Sequence, residues 1–178
     1  MKALPITTFL AIVLASGGAL ASGQLDSGYG SGGYAGYKSQ TADARYPVMD
    51  IAADGSLLAV GIEPPGCTVI AITAAGQLDP GWAEGGVLRF RCNALVQPAV
   101  LRRPDGKVLV AYAQDDTPDA PLLVMRLDRD ATPDATFATA GIATLSTGSR
   151  LTGPARLLLG GGGDIWVSAT GFPPADSC

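Results

Sequence analysis

The stretch Gly-Gln-Leu-Asp-Pro-Gly-Trp-Ala-Glu-Gly-Gly-Val at residues 76–87 recurs in the chain. An earlier copy, Gly-Gln-Leu-Asp-Ser-Gly-Tyr-Gly-Ser-Gly-Gly-Tyr, occupies residues 23–34. A more divergent copy, Ala-Thr-Pro-Asp-Ala-Thr-Phe-Ala-Thr-Ala-Gly-Ile, occupies residues 131–142. Counted on their aspartates, Asp26 to Asp79 is 53 residues and Asp79 to Asp134 is 55. A period near fifty means that one supersecondary unit recurs and that each unit buries its faces on its neighbours, as in a propeller, a solenoid or an array.

Between the copies lies a repeated hairpin. Residues 48–51 and 56–62 flank Ala52-Ala53-Asp54-Gly55, and Asp-Gly between apolar runs is a strong hairpin signal because glycine accepts positive φ. The hairpin returns at 99–112 around Arg103-Pro104-Asp105-Gly106, and at 155–169 around Gly160–163. Pro47, Pro98 and Pro154 precede the three hairpins, a position that suits the first residue of a strand. A further apolar run follows at 68–72 and at 122–127. Runs such as Val108-Leu109-Val110-Ala111 are apolar throughout, the pattern of a strand covered on both faces. No segment keeps a 3.6-residue period over three turns without glycine or proline, so helix is disfavoured. The predicted fold is all-β, a tandem array of four-stranded, propeller-like blades. In the second unit the strands are predicted at 87–91, 99–102, 107–112 and 122–127. The turn at 76–87 is expected to pass the chain from one blade to the next.

The Gly-x-Leu-Asp-x-x-aromatic-x-x-Gly-Gly unit, with the Pro-Asp-Gly-Lys-Val-Leu-Val hairpin between copies, resembles the delta-60 repeat family of bacterial exported proteins. The best match is residues 76–112. Residues 38–46 and those from Phe172 onward carry none of the pattern, and the period is shorter than the family name suggests. The resemblance implies a β-propeller-like fold and brings no catalytic residues with it.

Each position of the repeated turn has a structural role to fill. Asp26, Asp79 and Asp134 are placed to accept the backbone N–H two residues on, as in an Asx-turn. Tyr29, Trp82 and Phe137 are large enough to wedge between neighbouring sheets, where burying one ring stabilises by roughly 1.5–3 kcal/mol. Gly33, Gly86 and Gly141 supply the backbone freedom with which the chain re-enters a strand. In the third copy Ala140 stands where the others have a first glycine. The competing functional reading is a row of aromatics lining a carbohydrate site.

Met1-Lys2, an apolar run around 9–14 and Ala19-Leu20-Ala21 have the form of an export signal cleaved after Ala21. That leaves a repeat domain over 22–178, with repeats starting near 23, 76 and 131, secreted or periplasmic, and no membrane span. In that compartment disulfides are allowed. Cys67 and Cys92 bracket the turn, and they fall on the same side if the flanking runs are antiparallel; this makes them a candidate disulfide, with Cys178 left over. Pro64-Pro65 followed by Cys67 has a counterpart in Pro173-Pro174 followed by Cys178. The array therefore stops one strand short, with about three blades. Propellers close with about four to eight blades. The expectation is a piece of a longer protein with C-terminal blades missing, or a chain whose copies associate to close the ring.

Composition removes several function classes. The net charge is −4, without the clustered Lys and Arg of a nucleic-acid footprint. Arg89/Arg91 and Arg102-Arg103 are the close basic pairs, read as solvated strand ends rather than an anion site. There is no histidine, so no Ser-His-Asp triad, Cys-His couple or His-ligated zinc can form. The two glutamates, Glu63 and Glu84, are read as loop residues. Asp128-x-Asp130-x-x-x-Asp134 lacks the central glycine and distal glutamate of a calcium loop. No metal or cofactor is expected. The expected function is a non-catalytic exported scaffold that binds a protein or carbohydrate ligand through its loops. The alternative is the non-catalytic portion of a larger surface hydrolase or lyase.

Overall fold

The computed structural model describes residues 25–117 and 120–172; the expected signal peptide and Cys178 lie outside them. The described residues form strands and turns and no helix. A first antiparallel sheet is formed by β1 (Arg45–Ile51), β2 (Leu57–Glu63), β3 (Gly66–Ile72) and β4 (Val87–Phe90), paired in that order. A second contains β5 (Ala99–Arg102), β6 (Val108–Ala113), β7 (Leu122–Leu127) and β8 (Ile142–Leu145). Then come β9 (Arg150–Leu151), β10 (Arg156–Leu159), β11 (Ile165–Ser168) and β12 (Gly171–Phe172), in which β10 pairs with β11 and β9 with β12.

Two expectations need correcting. The turn at 76–87 does not pass the chain between sheets. It joins β3 to β4 of the first sheet, with Ile70 opposite Val87 and Cys67 opposite Phe90. The chain crosses to the second sheet afterwards, between β4 and β5. Strand positions can be read from apolar runs, but which neighbour a strand pairs with is decided by hydrogen-bond geometry. The third unit, moreover, expected as a single blade lacking one strand, forms two separate two-stranded ribbons among the described residues. It is one long interrupted hairpin, because the N–H groups of Thr152 and Gly153 both donate to the Thr170 carbonyl (2.9 and 3.1 Å). Two residues opposing one is a bulge, and it divides the ladder into two short ribbons. The first sheet has a milder form of the same feature, a register shift between Arg45 and Val48.

The strands alternate their side chains between faces, and both faces are covered. Leu58, Val60, Val69 and Ala71 point towards the second sheet and share one buried cluster with Val100, Val108, Val110, Leu123 and Met125. On the other face Leu57, Ala59, Ile70 and Ile72 lie under Tyr29, Ala35, Tyr37 and Tyr46. The far face of the second sheet, including Leu109, Ala111 and Val124, is covered by Leu157, Leu159, Ile165 and Val167. The three units thus stack in chain order. β5 lies against β1 and β2, and β10 against β5 and β6, so the first strand of each unit forms the seam.

A disulfide joins Cys67 of β3 to Cys92, just beyond β4, with Cα atoms 5.6 Å apart. It closes a 25-residue separation around the repeated turn. Replacing both cysteines by alanine is expected to lower stability by about 2–4 kcal/mol, read as a reduced urea midpoint, because the unfolded chain regains loop entropy.

Candidate functional site

The three turn copies adopt one backbone path. Asp26 Oδ1 accepts the Gly28 N–H at 2.9 Å, Asp79 Oδ1 that of Gly81 at 2.9 Å, and Asp134 Oδ1 that of Thr136 at 3.0 Å. The N–H groups of Tyr29, Trp82 and Phe137 donate to the carbonyls of the same aspartates at 3.0–3.2 Å. Gly33, Gly86 and Gly141 sit at φ +95°, +91° and +89°. At Gly86 a Cβ would lie 2.9 Å from the Asp79 nitrogen, so the position demands glycine on both counts. Ala140 takes the left-handed conformation that Gly32 and Gly85 take, φ +51° against +63° and +63°, and the third turn closes without its first glycine.

Neighbouring turns are also bonded to each other. The Gly30 N–H donates to the Ala75 carbonyl at 2.7 Å, and the equivalent Ala83 N–H donates to the Asp130 carbonyl at 3.1 Å. The turns therefore do join successive units, by a lateral hydrogen bond rather than by chain passage.

Their aromatic rings do not converge. Tyr29 is buried under the outer face of the first sheet, Trp82 between the two sheets, and Phe137 beside the third unit with Arg126 stacked 4.5 Å over its ring. Each belongs to a different interface, and they do not line a common surface.

The acidic run of the third turn is an ion-pair strut. Asp134, 2% exposed, receives Lys107 Nζ at 2.7 Å and Arg126 Nε at 2.6 Å, besides the Thr136 hydroxyl at 2.6 Å. Lys107 also reaches Asp128 at 2.8 Å. The Lys107 and Thr136 hydrogen bonds, with Arg126 beside them, hold the Asp134 carboxyl well below the usual range, and bonds to Asp128 and Asp134 raise Lys107 in turn. The protein's own cations, Lys107 at Asp128 and Lys107 with Arg126 at Asp134, are the partners of these two acids.

Glu63 is where sequence reasoning missed most. It ends β2 rather than lying in a loop, and it is buried. Its carboxylate accepts from Gln40 N (2.6 Å), Tyr46 Oη (2.8 Å), Ser39 Oγ (2.9 Å), Thr68 Oγ1 (2.9 Å) and Tyr37 Oη (3.1 Å). Burial works to raise its pKa, but the hydrogen bonds from Gln40, Tyr46, Ser39 and Thr68 outweigh it and lower the value to about 2. Burial and the adjacent Glu63 push the Tyr46 hydroxyl well up. The one signal available was the polar sequence at 37–41, which supplies three of the five donors. A carboxylate so fully donated to is a poor proton acceptor.

An open hollow of about 640 Å³ lies beside this cluster, at the loop end of the first sheet. Glu63, Pro65, Phe90 and the disulfide's Cys67 form its wall, with Arg89 and Arg91 along one side. Arg89 donates to Tyr37 Oη at 2.8 Å, and Arg91 is exposed. The two arginines, two residues apart at the end of β4, therefore share one concavity. Compared with known proteins, the chain matches no family model and no curated protein sequence.

Proposed function

We propose that the chain is a non-catalytic exported scaffold of the delta-60 repeat type, whose units stack like propeller blades and present a ligand site at the loop end beside the disulfide. Support for the blade reading comes from the shared path of the three turns and from first strands lying side by side. The hollow between Phe90, Pro65 and the two arginines is the observation that carries the binding reading. Polar groups of the repeated turns are taken up in holding the fold together, whereas the Arg91 guanidinium reaches an open concavity. An apolar wall with cations on one side suits an anionic ligand with an apolar face, in the first instance an acidic glycan. Glu63 contributes shape there and no proton transfer.

A glycan array probed with the purified chain tests this. Acidic glycans are expected to bind, and the Arg89→Ala/Arg91→Ala variant is expected to lose at least tenfold in affinity while staying folded by circular dichroism. Binding that survives the double substitution, or an array with no acidic hit, sinks the reading.

A further inference from the structure

The three hairpins align on the residue pairs that close them. These are Ile51 opposite Leu57, Arg102 opposite Val108, and Leu159 opposite Ile165. One step further along stand Asp50 with Leu58, Leu101 with Leu109, and Leu158 with Trp166. Two steps along stand Met49 with Ala59, Val100 with Val110, and Leu157 with Val167. Since side chains alternate, the first and third sets face the preceding unit and the middle set faces the following one.

Inside the chain these two faces meet twice. Leu58 is buried in one cluster with Val100, Val108 and Val110, and the Arg102 N–H donates to Asp50 Oδ2 at 2.6 Å. Leu101 and Leu109 then pack with Leu157, Leu159 and Val167. At the two ends of the stack these positions are only partly covered: on the leading face Leu57 and Ala59 of β2 are buried under Tyr29, Ala35, Tyr37 and Tyr46, which leaves the β1 members open. Leu158 and Trp166 are 68% and 65% exposed on the trailing face, and Met49 and Ile51 are 41% and 49% exposed on the leading face. The exposed apolar side chains thus stand at positions that the chain already uses internally, on both strands of the hairpin at the trailing face and on β1 alone at the leading face. Grouped exposed apolar side chains mark docking surfaces.

We propose that the Leu158/Trp166 face of one copy docks on the Met49/Ile51 face of a second copy, head to tail. The contact continues the internal seam, placing β1 of the second copy against β10 and β11 of the first, as β5 lies against β1 and β2. A face-to-face pairing through Trp166 would set like positions together, which neither internal interface does. The proposal rests on the stacked-unit part of the scaffold reading and gives it a partner. A heterologous contact of this kind either closes a ring or propagates as a filament.

Analytical ultracentrifugation of the purified chain is expected to show concentration-dependent species heavier than one chain. Ile51→Lys and Trp166→Lys alter exposed side chains, so each is expected to stay folded by circular dichroism and to sediment as a monomer. Mixing the two variants is expected to restore a one-to-one dimer, because each retains the face that the other lacks. A wild-type chain that stays monomeric up to hundreds of micromolar overturns the inference, and if it still binds acidic glycan the ligand-site reading stands. Self-association that persists in Ile51→Lys but not in Trp166→Lys also overturns it, in favour of face-to-face pairing.

Discussion

Trp82→Ala is expected to lower the unfolding free energy by about 3–5 kcal/mol, the usual cost of truncating a large buried aromatic. The ring is 4% exposed and sits in the cluster that joins the two four-stranded sheets. Its removal deletes apolar burial and opens a cavity between surfaces that are held apart by strand pairing on both sides, so little collapse can heal it. A domain of this size has about 5–15 kcal/mol in hand, and the loss is a large share of it. Urea unfolding followed by circular dichroism measures the effect. Phe137→Ala, at a half-buried ring, is expected to cost visibly less. The comparison also decides between roles for the repeated aromatics. If Trp82→Ala folds as stably as the parent and loses ligand, the ring is a binding platform and the packing account fails.

The repeat made much of this architecture legible. Apolar runs located the strands closely, as at 99–102, because both-face burial leaves a pattern that survives without partners. The turn chemistry was legible for the same reason, since an aspartate, an aromatic three residues on and a glycine at positive φ are local requirements. What could not be read was pairing. That β4 belongs with β3 rather than β5 depends on where the chain reverses, and apolar content is the same in either case. Glu63 was misplaced because its five donors come from residues up to 26 positions away. A carboxylate at the end of an apolar strand looks like the start of a loop until Tyr37, Ser39, Gln40 and Tyr46 are folded over it. The ion pairing of Asp128 and Asp134 was not legible either. Lys107, the cation that answers both acids, lies 21 residues before the first of them, in the hairpin of the same sheet.

Acid should expose the Glu63 cluster directly. The carboxyl's folded pKa of about 2 lies below its unfolded value near 4.5, so the folded state favours the ionised form. The resulting stability is fully present above about pH 4.5 and is lost as pH falls towards 2. The total is up to about 3 kcal/mol, since each pH unit between the folded and unfolded pKa is worth about 1.4 kcal/mol. Asp134 is depressed too and adds its own loss in strong acid, so the parent's acid sensitivity alone assigns nothing to Glu63. The difference from Glu63→Gln does. That variant keeps the shape but presents an amide to five donors, leaving some of them unpaired in a buried site. It is expected to be less stable than the parent at pH 7 by several kcal/mol, and the gap should close as the pH is lowered from 4.5 to 2. Denaturant titrations at a series of pH values through that window give the gap at each point. Parallel stability curves for the two proteins would mean that Glu63 is not held ionised by its donors. The cluster would then be a polar surface patch instead of the clamp that fastens residues 37–46 over the first sheet.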